Sequence, residues 1–434
     1  MKCVPKELLE KSGLWQEIEL VRDLDHPCIA RLFGTYEHTD SLYMVMELCA
    51  GGELFEAIEE ADGLSEDVAR KAFWQMTGAI SYIHGRGVCH RDLKPENFLL
   101  SHALTGDNKP VFKLIDFGTS TRFSEDSPMS TKVCTLQYAA PEILVRSKEP
   151  YTEKCDIWSL GVCLFVMFCG EPPFTAETDT QVLKRVRKGK FKFEPEEYWE
   201  DKSDEIKSFI SSLLCMDPAA RPSAQQLLRH HWCVKGAMGP ASTDIVETAS
   251  CILPKLREFQ SYCWLKQRSL ELVVSLMPDA MIQEVRALWF QLDMDNRGAL
   301  SLAEVLQALP GLDGAAKDAD VSADGNSGEV VKYTSFIAAV LSREKLMDPI
   351  ACRSAFRILD LDNDASIQYT ELALIYHSFQ MDSEENSKPQ SLRQPSDKKL
   401  DSVQEECRQF LRKYDLDGGE SMHFESFKAM LRES

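Results

Sequence analysis

Three short motifs in a fixed order constrain this chain of 434 residues more than any other feature. The first is His90–Asn97, with the sequence HRDLKPEN, the second is Asp116–Gly118 (DFG), and the third is Ala140–Glu142 (APE). Apolar stretches typical of short buried strands lie between them. One such triplet occurs by chance in many proteins, whereas three of them in this order indicate a shared site.

The motifs contain the residue types that transfer of a phosphoryl group requires. An attacking hydroxyl needs a carboxylate that accepts its proton and orients its oxygen, and Asp92 suits that role. The phosphates need Mg²⁺, which prefers hard oxygen ligands, and Asn97 and Asp116 supply such oxygens. The motifs therefore predict a cleft that uses ATP with bound Mg²⁺.

On these motifs, residues 1–233 resemble the protein kinase superfamily. The resemblance implies an α+β, bilobal protein kinase fold. It also implies that Lys94 contacts the transferred phosphate, as in serine/threonine kinases. Thr135, six residues before Pro141, would support the catalytic aspartate and the substrate pocket.

The segment Val45–Leu54 (VMELCAGGEL) is similar to the hinge of calmodulin-dependent and calcium-dependent kinases. The likeness implies that Met46 is the gatekeeper beside the adenine of ATP. The Glu47 carbonyl and the Cys49 backbone would then bind the adenine edge. These residues are expected to bind the nucleotide.

Two carboxylates bear on the choice of substrate. The resemblance implies that Glu53 reaches the ribose or a substrate arginine. Together with Glu96 it suggests a preference for basic residues upstream of the phosphorylated Ser or Thr. The alternative for Glu53 is a solvated helix start.

Two further features resemble structural supports of the kinase fold. Asp156–Gly161 (DIWSLG) looks like the buried helix that anchors the catalytic loop. Arg221 is expected to pair with Glu142, and a buried pair of this kind is structural and not catalytic.

The start of the chain departs from the kinase pattern. Lys2 resembles the lysine that contacts the ATP phosphates, and Glu17 would be its helix partner. A glycine-rich loop usually precedes this lysine, so the small lobe is expected to lack its first strands. Either the sequence is an N-terminally truncated kinase, or a genuine short form binds ATP weakly without that loop. The alternative for Lys2 is a frayed terminal residue.

Downstream, two acidic loops match the EF-hand pattern of oxygen ligands at positions 1, 3, 5, 7, 9 and 12 with glycine at position 6. The candidate ligands of the first loop are Asp293, Asp295, Arg297, Ala299, Ser301 and Glu304. The candidate ligands of the second loop are Asp360, Asp362, Asp364, Ser366, Gln368 and Glu371. Each set predicts a Ca²⁺ site.

Both loops carry one weak position. Arg297 occupies position 5 of the first loop, where an oxygen ligand is usual, so its affinity for calcium should drop. Ala365 replaces the glycine of the second loop, at a cost of roughly 1 kcal/mol or more. Two more loops begin at Asp324 and Asp415, but serine stands at position 12 of each, so they are expected to be silent structural partners.

In this order, the segments resemble the calcium-dependent protein kinases of plants and protists. The resemblance implies a truncated kinase domain at 1–233, an autoinhibitory junction helix at 234–285 and an all-α calmodulin-like domain with four EF-hands, two of them degenerate, at 286–434. It implies a calcium-regulated enzyme that transfers the γ-phosphate of ATP to Ser or Thr of proteins. The alternative is a catalytically impaired calcium-sensing scaffold, which only the missing glycine-rich loop favours.

The junction is expected either to block the substrate groove or to brace the kinase domain, and calcium-loaded hands would rebind it within the same chain. Its apolar anchors are Leu253, Leu256, Phe259, Trp264, Leu265 and Leu272. Its basic residues, which would mimic a substrate, are Lys255, Arg257, Lys266 and Arg268. The alternative is a plain packing helix.

Composition limits the partners and the compartment. The formal net charge of -20 argues against nucleic acid and favours basic peptides and metal cations. The 14 cysteines lack paired spacing and no secretory signal is recognisable, which favours reduced thiols in the cytoplasm. The longest apolar run, Leu160–Cys169, is too short to cross a bilayer.

Overall fold

The structure is a computed structural model that falls into two compact units. The first unit is Met1–Asp244 with Phe290–Ser301, and the second is Ile245–Trp289 with Leu302–Ser434. The described residues are 2–6, 14–105, 110–124, 129, 135–144, 150–237, 244–301, 305, 330–380, 405, 407–409, 411–414 and 421–433.

The first unit begins with a small antiparallel sheet. Its strands are β1 (Lys2–Pro5), β2 (Leu32–Glu37) and β3 (Ser41–Met46), in the order β1-β3-β2. Helix α1 (Leu14–Arg22) packs on the sheet through Ile18, which is buried with Leu42 and Met44 of β3. The helix ends at Arg22, and Pro27 disfavours helix in the residue before it, so the helix does not resume at His26.

The rest of the first unit is mainly helical. Its strands are β4 (Val88–Cys89), β5 (Phe98–Leu100), β6 (Phe112–Leu114), β7 (Thr121–Arg122) and β8 (Ala299–Ser301). Its helices are α2 (Leu54–Glu60), α3 (Glu66–His84), α4 (Pro141–Leu144), α5 (Lys154–Cys169), α6 (Asp179–Lys188), α7 (Asp204–Leu213), α8 (Ala224–Leu228) and α9 (His231–Ala237). This mixture confirms the α+β class.

Helix α5 forms the centre of the first unit's core. Every residue from Cys155 to Cys169 is buried, so the apolar run Leu160–Cys169 lies inside the protein. The Trp158 ring stacks on Phe174 with 5.5 Å between centroids. Glycine is required at Gly161, because a Cβ there would lie 2.7 Å from the Leu213 Cβ of α7. Helix α5 therefore fixes the rigid frame on which the catalytic loop lies.

The predicted junction helix consists of three helices. They are α10 (Asp244–Ser261), α11 (Trp264–Ser275) and α12 (Asp279–Leu292). The prediction of one helix was wrong, because the chain leaves the helical path around Cys263, an extended N-cap, and again before Asp279. Pro278 contributes to the second break, since it disfavours helix in the residue before it.

The second unit also contains the later helix–loop–helix segments. Its strands are β9 (Val330–Lys332), β10 (Ser366–Gln368) and β11 (Ser421–His423), and its further helices are α13 (Tyr333–Val340), α14 (Arg343–Leu346), α15 (Pro349–Leu359), α16 (Tyr369–Gln380) and α17 (Phe424–Arg432). Strands β10 and β11 pair antiparallel, with Ile367 opposite Met422. This short sheet joins the second calcium loop to Ser421–His423 of the degenerate loop that begins at Asp415. Among the described residues, no helix combines the length and the apolarity that crossing a membrane requires.

Candidate active site and calcium loops

Asp92 lies at the centre of the predicted catalytic group. Its Oδ1 accepts hydrogen bonds from the Thr135 amide at 2.9 Å and from the Thr135 hydroxyl at 2.7 Å. Lys94 Nζ lies 3.5 Å from the other carboxylate oxygen and 3.4 Å from the Thr135 hydroxyl. Two donors on one oxygen fix the carboxylate, so the second oxygen is the one that can accept a proton from a substrate.

The loop that carries Asp92 is anchored to α5 by one buried carboxylate. Asp156 is fully buried and accepts the backbone amides of His90 at 2.9 Å and Arg91 at 2.8 Å. Arg91 has a φ of 72°, a left-handed conformation that costs a non-glycine residue of order 1–3 kcal/mol. The predicted anchoring role of this segment is therefore confirmed by direct contacts.

His84 is a supporting residue that the sequence did not reveal. Its Nε2 lies 2.8 Å from Asp156 Oδ2. Burial would raise the pKa of Asp156, but hydrogen bonding and charge from His84, with smaller contributions from His90 and the Arg91 amide, hold that pKa below its usual value. Asp156 is thus ionised and able to hold the catalytic loop through hydrogen bonds.

Lys2, Glu17 and Asp116 form one group beside the catalytic loop. Lys2 Nζ lies 2.8 Å from Glu17 Oε1 and 3.2 Å from Asp116 Oδ1. Burial lowers the pKa of Lys2, but the two carboxylates outweigh burial and raise it above its usual value. The predicted pairing of Lys2 with Glu17 is present, while the role of both residues in nucleotide binding stays a prediction.

The residues predicted to hold Mg²⁺ fit that ion. Asn97 donates its side-chain amide to the Asp92 carbonyl at 2.8 Å, which leaves its oxygen as the free end. Asp116 has a φ of 59° and keeps a half-exposed carboxylate. A hard divalent cation prefers such an amide and carboxylate oxygen pair. Both side chains lie in the same unit as Asp92, and one oxygen of Asp116 is paired with Lys2. Binding of Mg²⁺ by Asn97 and Asp116 therefore stays a prediction.

The predicted adenine-binding residues follow the end of β3. Met46 is half-buried and packs on the small core of the sheet. The Glu47 carboxylate pairs with Lys113 at 2.7 Å. Burial would raise the pKa of Glu47, but Lys113 and Arg31 hold it below its usual value. The Glu47 amide donates to the Arg31 carbonyl at 2.8 Å, so only the backbone carbonyl of Glu47 remains for a ligand. Cys49 follows half-exposed.

Glu53 and Glu96 differ in their surroundings. Glu53 is the N-cap of α2, and its backbone amide donates to the Glu56 carboxylate at 3.1 Å. Its backbone therefore forms the start of a helix, as the alternative interpretation expected. Glu96 lies in the short 3₁₀ turn Pro95–Asn97. Its Oε2 is buried and has no hydrogen-bond partner among the residues that the structure describes. Glu96 therefore keeps one unsatisfied oxygen, and binding of a substrate cation by Glu53 or Glu96 stays a prediction.

The predicted pair between Arg221 and Glu142 is confirmed. The guanidinium makes two bonds to the carboxylate, of 2.6 and 2.9 Å. It also donates to the carbonyls of Cys215 and Lys154 and lies over the Trp158 ring at 5.1 Å. These contacts satisfy a side chain that has no exposed surface, so the pair supports the fold from inside.

The first calcium loop is only partly arranged as a cation site. Asp293 accepts the amides of Arg297 and Gly298, both at 2.9 Å. Asp295 is turned toward Arg229, at 2.8 Å. Ala299 and Ser301 lie in β8. The remaining candidate ligand, Glu304, lies outside the described residues, as do Asp324 and Asp415 of the two degenerate loops.

The second calcium loop brings its carboxylates together. One oxygen from each of Asp360, Asp362 and Glu371 lies within 4.8 Å of the others. Asp364 accepts the amide and the hydroxyl of Ser366, both at 2.8 Å, and the Gln368 amide at 2.7 Å. Convergent carboxylates are the ligand type that Ca²⁺ binds. The second loop therefore fits calcium better than the first does.

Replacing Ala365 with glycine is expected to stabilise the second loop. Ala365 has a φ of 70°, which glycine adopts without the steric cost that alanine pays. We expect the free energy of local opening, measured by hydrogen exchange at Ser366–Gln368 without calcium, to rise by about 1 kcal/mol. Asn363→Gly is the matched control, because asparagine tolerates its φ of 60°. An equal gain in both variants would contradict this explanation.

Comparison with known proteins agrees with this geometry. A family model described as the protein kinase domain matches residues 1–233. Calcium-dependent protein kinase 3 of Plasmodium yoelii yoelii is 35% identical over 381 residues, which are 86% of this chain and 69% of that protein. Calcium-dependent protein kinase 5 of Plasmodium falciparum is 33% identical over 384 residues, 86% of this chain and 65% of that protein.

A plant protein gives the same result. Calcium-dependent protein kinase 33 of Arabidopsis thaliana is 33% identical over 369 residues, 84% of this chain and 69% of that protein. None of these comparisons supports the alternative of a catalytically impaired scaffold. The chain belongs to the calcium-dependent protein kinases, a family in which a serine/threonine protein kinase domain carries the catalytic residues.

Proposed function

We propose that this chain transfers the γ-phosphate of ATP to Ser or Thr side chains of proteins, and that calcium sets the rate. The observation that carries the proposal is the fixed Asp92 carboxylate, held by both donors of Thr135. A carboxylate in this position accepts the proton of a substrate hydroxyl and orients its oxygen for attack.

Two lysines complete the chemistry on the protein side. Lys94, close to both Asp92 and Thr135, would neutralise charge on the phosphoryl group as it moves. Lys2, fixed by Glu17, would orient the phosphates that stay on the nucleotide. When bound by Asn97 and Asp116, Mg²⁺ neutralises the phosphate charge that develops during transfer.

The nucleotide is proposed to bind along the segment that follows β3. The backbones of Glu47 and Cys49 would bond the adenine edge, with Met46 beside the ring. The occupied Glu47 carboxylate supports this orientation, because Lys113 keeps it away from a ligand. Glu53, at the start of α2, would reach the ribose or a substrate side chain.

The proposed substrates carry basic residues near the phosphorylated Ser or Thr. The buried, unpartnered oxygen of Glu96 supports this preference within the described residues, because a buried carboxylate gains most from a cationic partner. We expect Glu96→Gln to lower kcat/KM for an arginine-containing peptide roughly tenfold, the loss of one charge-assisted hydrogen bond. The same peptide with arginine replaced by alanine should not distinguish the variant from the parent.

Calcium is proposed to act through the loops of the second part of the chain and the junction before them. Lys255 donates to the Val340 carbonyl at 3.0 Å, and Lys266 is buried and donates to the Glu433 carbonyl. Arg268 pairs with Glu271. These contacts support a role of the junction as a packing partner of the hands, and they occupy cations that were expected to mimic a substrate.

A reducing compartment, the cytoplasm, is proposed for this kinase. Most of the described cysteines are buried, and burial raises the pKa of the Cys89 and Cys163 thiols well above their usual range. Thiols of this kind are inert and serve packing, as they do in reducing surroundings.

Transfer of labelled phosphate to a basic Ser/Thr peptide tests the proposed function. We expect labelling that requires Mg²⁺ and that rises when calcium replaces a chelator. Glu371→Gln should reduce the rise, because it removes the position-12 carboxylate of the second loop. Labelling that ignores calcium would overturn the regulatory part, and no labelling with any basic peptide would overturn the catalytic part.

A further inference from the structure

The first calcium loop lies against a stripe of α3 in the first unit. The stripe consists of Trp74, Gly78 and Tyr82, which are spaced four apart and share one side of the helix. Arg86 follows just after the end of the helix. The Trp74 ring meets Phe290 edge-on, with 5.5 Å between centroids. A Cβ added at Gly78 would lie 2.6 Å from Oδ1 of Asn296. Glycine at this point of the stripe is what allows the loop to approach.

The other half of the stripe holds the loop's turn. A Cβ added at Gly298 would overlap the Tyr82 ring. Arg86 donates to the Arg297 carbonyl at 3.3 Å and lies 3.7 Å over the Tyr82 ring. Three consecutive residues of the loop, Asn296 to Gly298, therefore contact this side of the first unit and pack closely against it.

Two residues in the turn of the loop bear on calcium binding. Asn296, at position 4, is not a ligand in the EF-hand pattern, yet it is only 1% exposed. Asp295, at position 3, is a ligand in that pattern, yet its carboxylate pairs with Arg229 on the kinase side. Arg229 thus engages a carboxylate that calcium would require.

We propose that the α3 stripe and Arg229 form a docking site for the calcium-free first loop, and that docking and calcium binding by this loop exclude one another. The inference rests on the proposed function in that it takes the first loop to bind calcium. Exclusion is reciprocal: docking weakens the apparent calcium affinity, and calcium releases the loop from α3. The Arg229 pair is largely exposed, and exposed pairs are weak, so a bound divalent cation can displace it.

The test is isothermal titration of the full-length chain with Ca²⁺ in a Glu371→Gln background, which weakens the second loop. Arg229→Glu removes the pair, and we expect the dissociation constant of the first loop to fall about fivefold. Gly78→Val should lower it as well, by displacing Asn296 without a change of charge. Arg229→Lys keeps the pair and should stay within about twofold of the parent.

A charge reversal elsewhere on the first unit separates docking from general electrostatics. Lys190 is exposed, and Lys190→Glu adds the same negative charge as Arg229→Glu without touching the loop. Equal affinity in the parent, Arg229→Glu and Gly78→Val would overturn the proposal alone. The proposal would also be overturned if Lys190→Glu raised the calcium affinity of the first loop as much as Arg229→Glu does, while Gly78→Val left that affinity unchanged. No calcium binding by the first loop in any variant would overturn both the proposal and this loop's place in the proposed function.

Discussion

Asp92→Asn is expected to lower kcat for phosphoryl transfer by about 10²–10⁴-fold, the usual contribution of a positioned general base. Asparagine has nearly the same shape and keeps an oxygen that can accept the two hydrogen bonds from Thr135. It cannot take the proton of the attacking hydroxyl. The loss should therefore appear in kcat, measured under saturating ATP and peptide, while the fold and the KM for ATP stay unchanged.

Thr135→Val provides the matched control for this prediction. It removes the hydroxyl that lies 2.7 Å from Asp92 but keeps the backbone amide, so the carboxylate is held by one donor fewer. We expect a smaller loss of kcat, of roughly fivefold, because a net hydrogen bond contributes about 1 kcal/mol. Asp92→Asn activity above a tenth of the parent's would show that this carboxylate is not the base.

The residues that carry chemistry could be predicted because their type and spacing are tied to the reaction. Asp92, Asn97 and Asp116 each stand at a fixed place in a motif, and the structure brings the first two into contact. The second calcium loop was predictable for the same reason, since its carboxylates recur at alternate positions. The conformational cost of Ala365 was also predictable, because position 6 of the loop requires a left-handed backbone that glycine adopts more easily than alanine. Its φ of 70° confirms that conformation.

The residues that hold this chemistry in place could not be predicted in the same way. His84 is a single histidine at the end of an amphipathic helix, and its partner Asp156 is 72 positions away. Gly78 looks like any weak position in a helix until Asn296 is seen beside it. The junction's breaks depend on local capping, so its periodicity predicted helix correctly but not three separate helices. Contacts between distant segments leave no periodic pattern in a single sequence.

Arg221→Met is expected to reduce the stability of the first unit by about 3–5 kcal/mol, because removing one partner of a buried pair leaves the other charge uncompensated. The side chain is fully buried and also donates to two backbone carbonyls, so those acceptors lose their donor as well. Calorimetry of the full-length chain should show the kinase transition at a lower temperature. The exposed pair of Lys192 with Glu194 is the control, and Lys192→Met should cost at most about 1 kcal/mol.

The double variant Arg221→Met with Glu142→Leu decides why the single variant is unstable. If the cost comes from the stranded carboxylate of Glu142, replacing both partners with apolar side chains should recover much of the lost stability. If it comes from the freed carbonyls of Cys215 and Lys154, the double variant should remain as unstable as the single one. We expect partial recovery, because Glu142 is still 18% exposed and water relieves part of its charge, whereas the two carbonyls have no substitute for the guanidinium.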